Sequence, residues 1–165
     1  MKTLRLAPAL LLMFGCTHTL AAEPEYVTIK LEIDIAKPAA EVWAKVGDYC
    51  DIGEWANLEC VISAGDGGVG TVRSLAGGRV TEIMVAQTEL SYGYTQPVVE
   101  GTPYNLYHGF MEARPVDAGA SKMLYTLMLD ASVYPDQATR ESDLERRKTL
   151  FEGVLKNIKE IAEAP

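Results

Sequence analysis

The chain has 165 residues, 48% of them apolar, and 15 Lys and Arg stand against 23 Asp and Glu for a net charge of −8. Scattered acids without a basic cluster argue against nucleic acid and anionic membrane surfaces as partners, since both reward grouped Lys and Arg. The length suits one domain with a sizeable core.

Residues 1–22, "MKTLRLAPALLLMFGCTHTLAA", combine Lys2 and Arg5, an apolar run from Leu6 to Phe14 and a small-residue end at Ala21 and Ala22. That pattern reads as a secretory signal, and its apolar run is too short to span a bilayer core of about 30 Å. Processing before Cys16, where "MFGC" loosely resembles a bacterial lipobox, would give a lipid-anchored protein. Leucine is usual where Met13 stands, so cleavage near Ala22 and a periplasmic or secreted domain over 23–165 is the reading carried forward. The mature chain would hold 13 basic and 23 acidic residues, a net charge of −10, because the signal removes two cations and no acid. It would keep two cysteines, Cys50 and Cys60. An oxidising compartment favours a disulfide between them, and two buried free thiols are the alternative.

From Tyr26 to Ile35 the chain alternates, with Val27, Ile29, Leu31, Ile33 and Ile35 on one face, which predicts a half-buried strand. Pro38 suits the first turn of a helix carrying Val42, Trp43 and Val46, and Gly47 with Asp48 stops it. A second helical piece of two turns at most carries Ile52 and Trp55. The break at "GDYCDIG" lets the chain turn a corner. Residues 58–133 read as about six short strands. Turn formers stand at Gly65 to Gly68, Gly77 and Gly78, Pro97 to Pro103, and Asp117 to Ala120, a spacing that favours antiparallel hairpins. A long helix from about Asp136 to Ala162 closes the chain, with Leu144, Phe151, Val154, Leu155, Ile158 and Ile161 facing inward. The order predicts an α+β domain in which a curved antiparallel sheet wraps the long helix and the two short helices close its open end.

"IAKPAAEVWAKVGDYCDIGEWA" and "GVGTVRSLAGGRVTEIMV" resemble the START-like, Bet v 1-like (SRPBCC) superfamily, and within it the polyketide cyclase/dehydrase and lipid-transport group. Pro38, Val42, Trp43, Asp48 and Trp55, followed by "GTVR" and by Tyr107 ahead of "ARPV", carry the likeness over about Tyr26 to Ala162. The resemblance implies a helix-grip fold enclosing an apolar cavity for a lipid, polyketide or other hydrophobic molecule. It also implies that "SLAGGR" at 74–79 matches a gate loop and "GTPYNL" at 101–106 a latch-like loop of the plant hormone receptors in this superfamily. Their full loop motifs are lacking, so hormone sensing is not carried over.

The chemistry on offer is sparse. His108 is the only histidine after residue 22, which excludes a multi-histidine metal site, and alternation sends Tyr107 and His108 to opposite faces. No nucleophile elbow, zinc helix or phosphate-binding loop is present, and no cofactor is implied. Arg73 on an alternating strand has two readings, holding a ligand's anion or pairing with Glu82 across the Gly77–Gly78 hairpin. Tyr92, Tyr94, Tyr107 and Tyr125 offer apolar faces with one hydroxyl each, as a binding pocket or an ordinary core requires. Trp43 and Trp55 read as packing residues, with Trp55 near the cavity mouth.

The ligand-binding set is therefore Trp55, Arg73, Glu82, Tyr92, Tyr94, Tyr107, Phe151 and Val154, with no catalytic residue assigned. The leading function is an exported carrier of a hydrophobic small molecule or lipid, with no stable membrane span. The alternative is a metal-independent cyclase or dehydratase, in which Arg73 steadies an enolate and a tyrosine or Glu82 moves the proton. A third role is a chaperone-like accessory to a periplasmic protein partner.

Overall fold

The computed structural model describes residues 23–99 and 104–165. The expected signal segment with Cys16, and Gly101 to Pro103 of the loop expected to be latch-like, lie outside them. Seven strands are described: β1 Tyr26–Ile35, β2 Cys60–Ala64, β3 Val72–Leu75, β4 Val80–Thr88, β5 Ser91–Thr95, β6 Tyr107–Pro115 and β7 Ser121–Asp130. They form one antiparallel sheet in the order β1-β7-β6-β5-β4-β3-β2. Register shifts between Ile62 and Ala64 and between Met84 and Ala86 add bulges, which bend a strand and raise its twist, so the sheet curves.

The inner face carries Leu75, Met84, Met111, Met123, Leu127 and Leu129, all buried. β1 alternates as its pattern requires, its apolar residues half-buried or buried and its polar ones exposed. The β4–β5 hairpin turns at Glu89 and Leu90 without glycine or proline. Its Thr88 and Ser91 hydroxyls meet at 2.7 Å, and Thr88 Oγ1 also accepts the Leu90 N–H.

Helix α1 spans Ala39–Val46. Pro38 sits one place earlier than expected, at the N-cap with extended backbone rather than inside the first turn. Gly47 caps the helix C-terminally, and the Trp43 indole lying over it leaves no room for a side chain: a Cβ there would stand 2.5 Å from the ring. The chain then turns, with Asp51 Oδ2 accepting the Asp48 N–H, into the four-residue helix α2, Ile52–Trp55. Cys50 and Cys60 are joined in a disulfide that ties this corner to the start of β2.

Helix α3 runs Gln137–Glu163, 27 residues and about 40 Å long. The Asp136 carboxylate caps it by accepting the Thr139 N–H at 2.7 Å. Its C-terminal end is pinned to the β1–α1 junction. There Lys45 Nζ donates to the Ala164 carbonyl at 2.6 Å, Lys159 Nζ to Asp34 O at 2.6 Å, and the Ala36 N–H to Glu163 Oε1 at 2.8 Å. Among the described residues no helix is long and apolar enough to cross a membrane.

Candidate functional site

Burial along the inward stripe of α3 is uneven. Val154, Leu155, Ile158 and Ala162 are at most 6% exposed, whereas Leu144 and Phe151, nearer the start of the helix, are only half-buried. The pinned C-terminal half is thus pressed onto β1 and α1, and the inward side chains of the N-terminal half are less covered. Helix and sheet make a grip that is closed at one end and looser at the other.

The loose end and the middle of the grip are lined by aromatic side chains with polar tips. Tyr92 and Tyr94 alternate with Gly93 on β5, and Tyr94 shares a 2.8 Å hydrogen bond with the Tyr125 hydroxyl on β7. The Tyr125 ring lies 4.7 Å from Phe151 and 6.3 Å, edge-on, from Trp55. Asn157 of α3 holds α2 in place by donating to the Trp55 carbonyl at 2.9 Å. Burial pushes the Tyr94 and Tyr125 hydroxyls well above their ordinary pKa, so both stay protonated. Among the described residues the Trp55 indole N–H and the Tyr49 hydroxyl are buried without a hydrogen-bond partner, although polar groups so deeply buried are normally satisfied.

Arg73 lies beneath the α1–α2 corner and is fully buried. Its Nε and Nη2 both donate to Glu82 Oε2, at 2.8 and 2.6 Å, and Nη1 reaches the Tyr49 carbonyl and, at 3.4 Å, the Tyr92 hydroxyl. The guanidinium also stands over the Tyr49 ring at 4.1 Å and the Tyr94 ring at 5.1 Å. Burial opposes its charge, but Tyr92 and Glu82 outweigh that, and its pKa is raised. Of the two readings left open for Arg73, the geometry has the pair with Glu82. A second anion would have to displace a buried carboxylate from it.

Glu82 passes the network outward. Its Oε1 accepts from Gln96 Nε2 at 2.9 Å, and the Tyr104 hydroxyl donates to Gln96 Oε1. The Tyr104 ring lies 5.4 Å from Tyr107, which the Arg147 guanidinium covers at 5.2 Å. Burial pushes the Tyr107 hydroxyl up to about 12 despite that cation. Arg147 Nε donates to Asp143 Oδ2 at 2.6 Å, and the Tyr134 hydroxyl donates to the same oxygen.

All eight expected residues lie on the inner side of the grip. Trp55, Tyr94 and Phe151 meet around Tyr125. Arg73, Glu82 and Tyr92 form a second group, Tyr107 belongs to the loose end, and Val154 lies on the pinned half of the helix. Four further residues complete the set. Tyr49, Gln96 and Tyr104 had no local signal. Arg147 had one: it falls on the stripe Leu144, Arg147, Phe151, Val154 at steps of three and four. His108 faces the outer side, as alternation required. Among the described residues no group of His, Cys, Asp or Glu could hold a metal ion.

An antiparallel sheet gripping a long C-terminal helix over a polar-tipped aromatic interior defines a Bet v 1-like, helix-grip protein. Solved structures share the fold. Ara h 8.0201 is 21% identical, with 84% of this chain and 98% of that one covered and a TM-score of 0.62. The Zhui aromatase/cyclase from Streptomyces sp. R1128 is 18% identical, with 84% and 94% covered and a TM-score of 0.67. A protein from Thermobifida fusca is 23% identical, with 82% and 92% covered and a TM-score of 0.66. The family model for polyketide cyclase/dehydrase and lipid transport matches residues 26–163, and the chain belongs to that family. No curated relative matches the sequence. The family associates the fold with hydrophobic-ligand binding or cyclase-like chemistry.

Proposed function

We propose that the protein is exported after loss of residues 1–22 and binds a mostly apolar small molecule or lipid between α3 and the sheet, without acting on it. The observation that carries this reading is the uneven grip: α3 loses burial toward its start, where polar-tipped aromatics face it. A core built only for stability has little use for buried tyrosines, an orphaned indole N–H and an ion pair. A pocket that orients an apolar guest with a few polar contacts uses all three. Trp55, Tyr94, Tyr107, Phe151 and Val154 serve as its walls. Arg73, Glu82 and Tyr92 serve as a neutral polar patch.

Cyclase or dehydratase chemistry finds less support. Glu82 has both oxygens engaged, Arg73 is committed to it, and Tyr94 and Tyr125 are held protonated, so none of these side chains is poised to accept a proton near neutral pH. The Cys50–Cys60 disulfide fits an oxidising compartment.

Native mass spectrometry of the full chain purified from its own compartment tests the reading, together with calorimetric titration of dodecan-1-ol. The expected result is a co-purified apolar species or saturable one-to-one binding of the alcohol. No bound species and no saturable binding would overturn it.

A further inference from the structure

The loose end of the grip carries a cation that the apolar-guest reading does not use. Arg147 sits on the inward stripe of α3 with its side chain 15% exposed, and its hydrogen bond to Asp143 is made by Nε alone. Among the described residues its terminal nitrogens meet no acid. They lie beside the Tyr107 and Tyr134 hydroxyls, and the guanidinium is stacked on the Tyr107 ring. Asp143 is shared, because Arg146 holds its other oxygen from the solvent side. One carboxylate between two guanidiniums leaves a surplus positive charge, in a chain whose net charge is −8.

We propose that Arg147 is the head-group contact of the site: it takes the carboxylate of an acidic amphiphile whose apolar part enters the grip, and Asp143 is the intramolecular partner that the ligand displaces. This rests on the hydrophobic-ligand reading above and names the ligand class within it. The buried cation Arg73 is ill-suited to the task, since all three of its nitrogens are engaged and it is fully enclosed. Among the described residues the terminal nitrogens of Arg147 meet neutral tyrosine hydroxyls and no acid, at a partly open edge, and a planar guanidinium can grip a carboxylate by two parallel hydrogen bonds. Tyr107 beneath it supplies a flat apolar surface that leads inward.

Titration of dodecanoic acid and dodecan-1-ol into the wild type and three variants tests this, with melting curves to establish that each variant is folded. The wild type should prefer the acid by about tenfold, the worth of one charged hydrogen-bonded contact. Arg147→Gln should bring the two affinities close together by weakening the acid alone. Asp143→Asn removes the competitor and should strengthen the acid several-fold without affecting the alcohol, an outcome that a merely structural ion pair would not produce. Lys148→Gln, which removes the same charge from the exposed side of the next position, should leave the acid preference unchanged. An acid-to-alcohol ratio that Arg147→Gln does not alter, or that Lys148→Gln alters equally, overturns the assignment and leaves the hydrophobic-ligand reading in place. Failure of both probes to bind the wild type overturns both.

Discussion

Arg73 and Glu82 are direct cross-strand partners on β3 and β4, and their side chains close an ion pair at 2.6 Å that is almost wholly shut off from solvent. Removing one member leaves the other charge buried and uncompensated, so Glu82→Gln or Arg73→Met should each cost about 3 to 5 kcal/mol in urea unfolding. Arg73→Met combined with Glu82→Leu removes both charges and should be less destabilised than Arg73→Met alone. A double variant weaker than either single one would show that Gln96 and the Tyr49 carbonyl, not the charge pair, dominate.

The disulfide spans a sequence separation of 10 and should stabilise the fold by about 2.5 to 3 kcal/mol on the chain-entropy account. The double variant Cys50→Ser with Cys60→Ser should lose that amount by denaturant titration. Peptide mapping without reductant should recover the two cysteines in one linked fragment, and free alkylation of both would contradict the bond.

Gly109 stands where the Tyr94 ring crosses β6, and a Cβ there would meet Tyr94 Cζ at 2.1 Å. Tyr94 is held by its hydrogen bond to Tyr125 and cannot swing aside without breaking it. Gly109→Ala should therefore cost about 1 to 3 kcal/mol. Tyr94→Phe in the same background should recover part of that cost, because it removes the hydroxyl, which a Cβ would meet at 2.3 Å, and the hydrogen bond that holds the ring in place.

Asp143 gives a pH signature. Partial burial raises its pKa, but hydrogen bonds from Tyr134, Arg146 and Arg147 outweigh that and bring it down from 3.8 to about 2. A depressed folded value means the contribution is complete above the unfolded value and is lost as pH falls through the folded one. The stability difference between wild type and Asp143→Asn should hold steady above about pH 4 and shrink between pH 4 and 2. A difference that persists unchanged at pH 2 would remove the ion cluster as its source.

Much of this architecture was legible in the chain. The strict alternation of Val27 to Ile35 specified a half-buried strand, and the steps of seven, three and four between Leu144, Phe151, Val154 and Ile158 specified a gripped helix, since period alone decides which face is apolar. The break between β4 and β5 was legible near Thr88, but the way it closes was not, because a Thr88–Ser91 hydroxyl pair stands in for the usual turn formers. Arg147 stands as a cation on an apolar stripe, and spacing alone assigns such a cation no partner.

Alternation could place Arg73 on one face of its strand but could not choose between a ligand anion and Glu82. That choice belonged to the β3–β4 register, which sets the two Cα atoms opposite one another. Nor could local pattern say which end of the grip is shut. Contacts between residues more than a hundred positions apart decide it: Lys45 with Ala164, Asn157 with Trp55, Lys159 with Asp34. Local sequence determines the period and face of each element, because propensity and side-chain direction act over a few residues. Which polar tips meet inside, and where the helix is left less covered, only the tertiary structure decided, because those outcomes depend on pairings whose closure no short-range preference encodes.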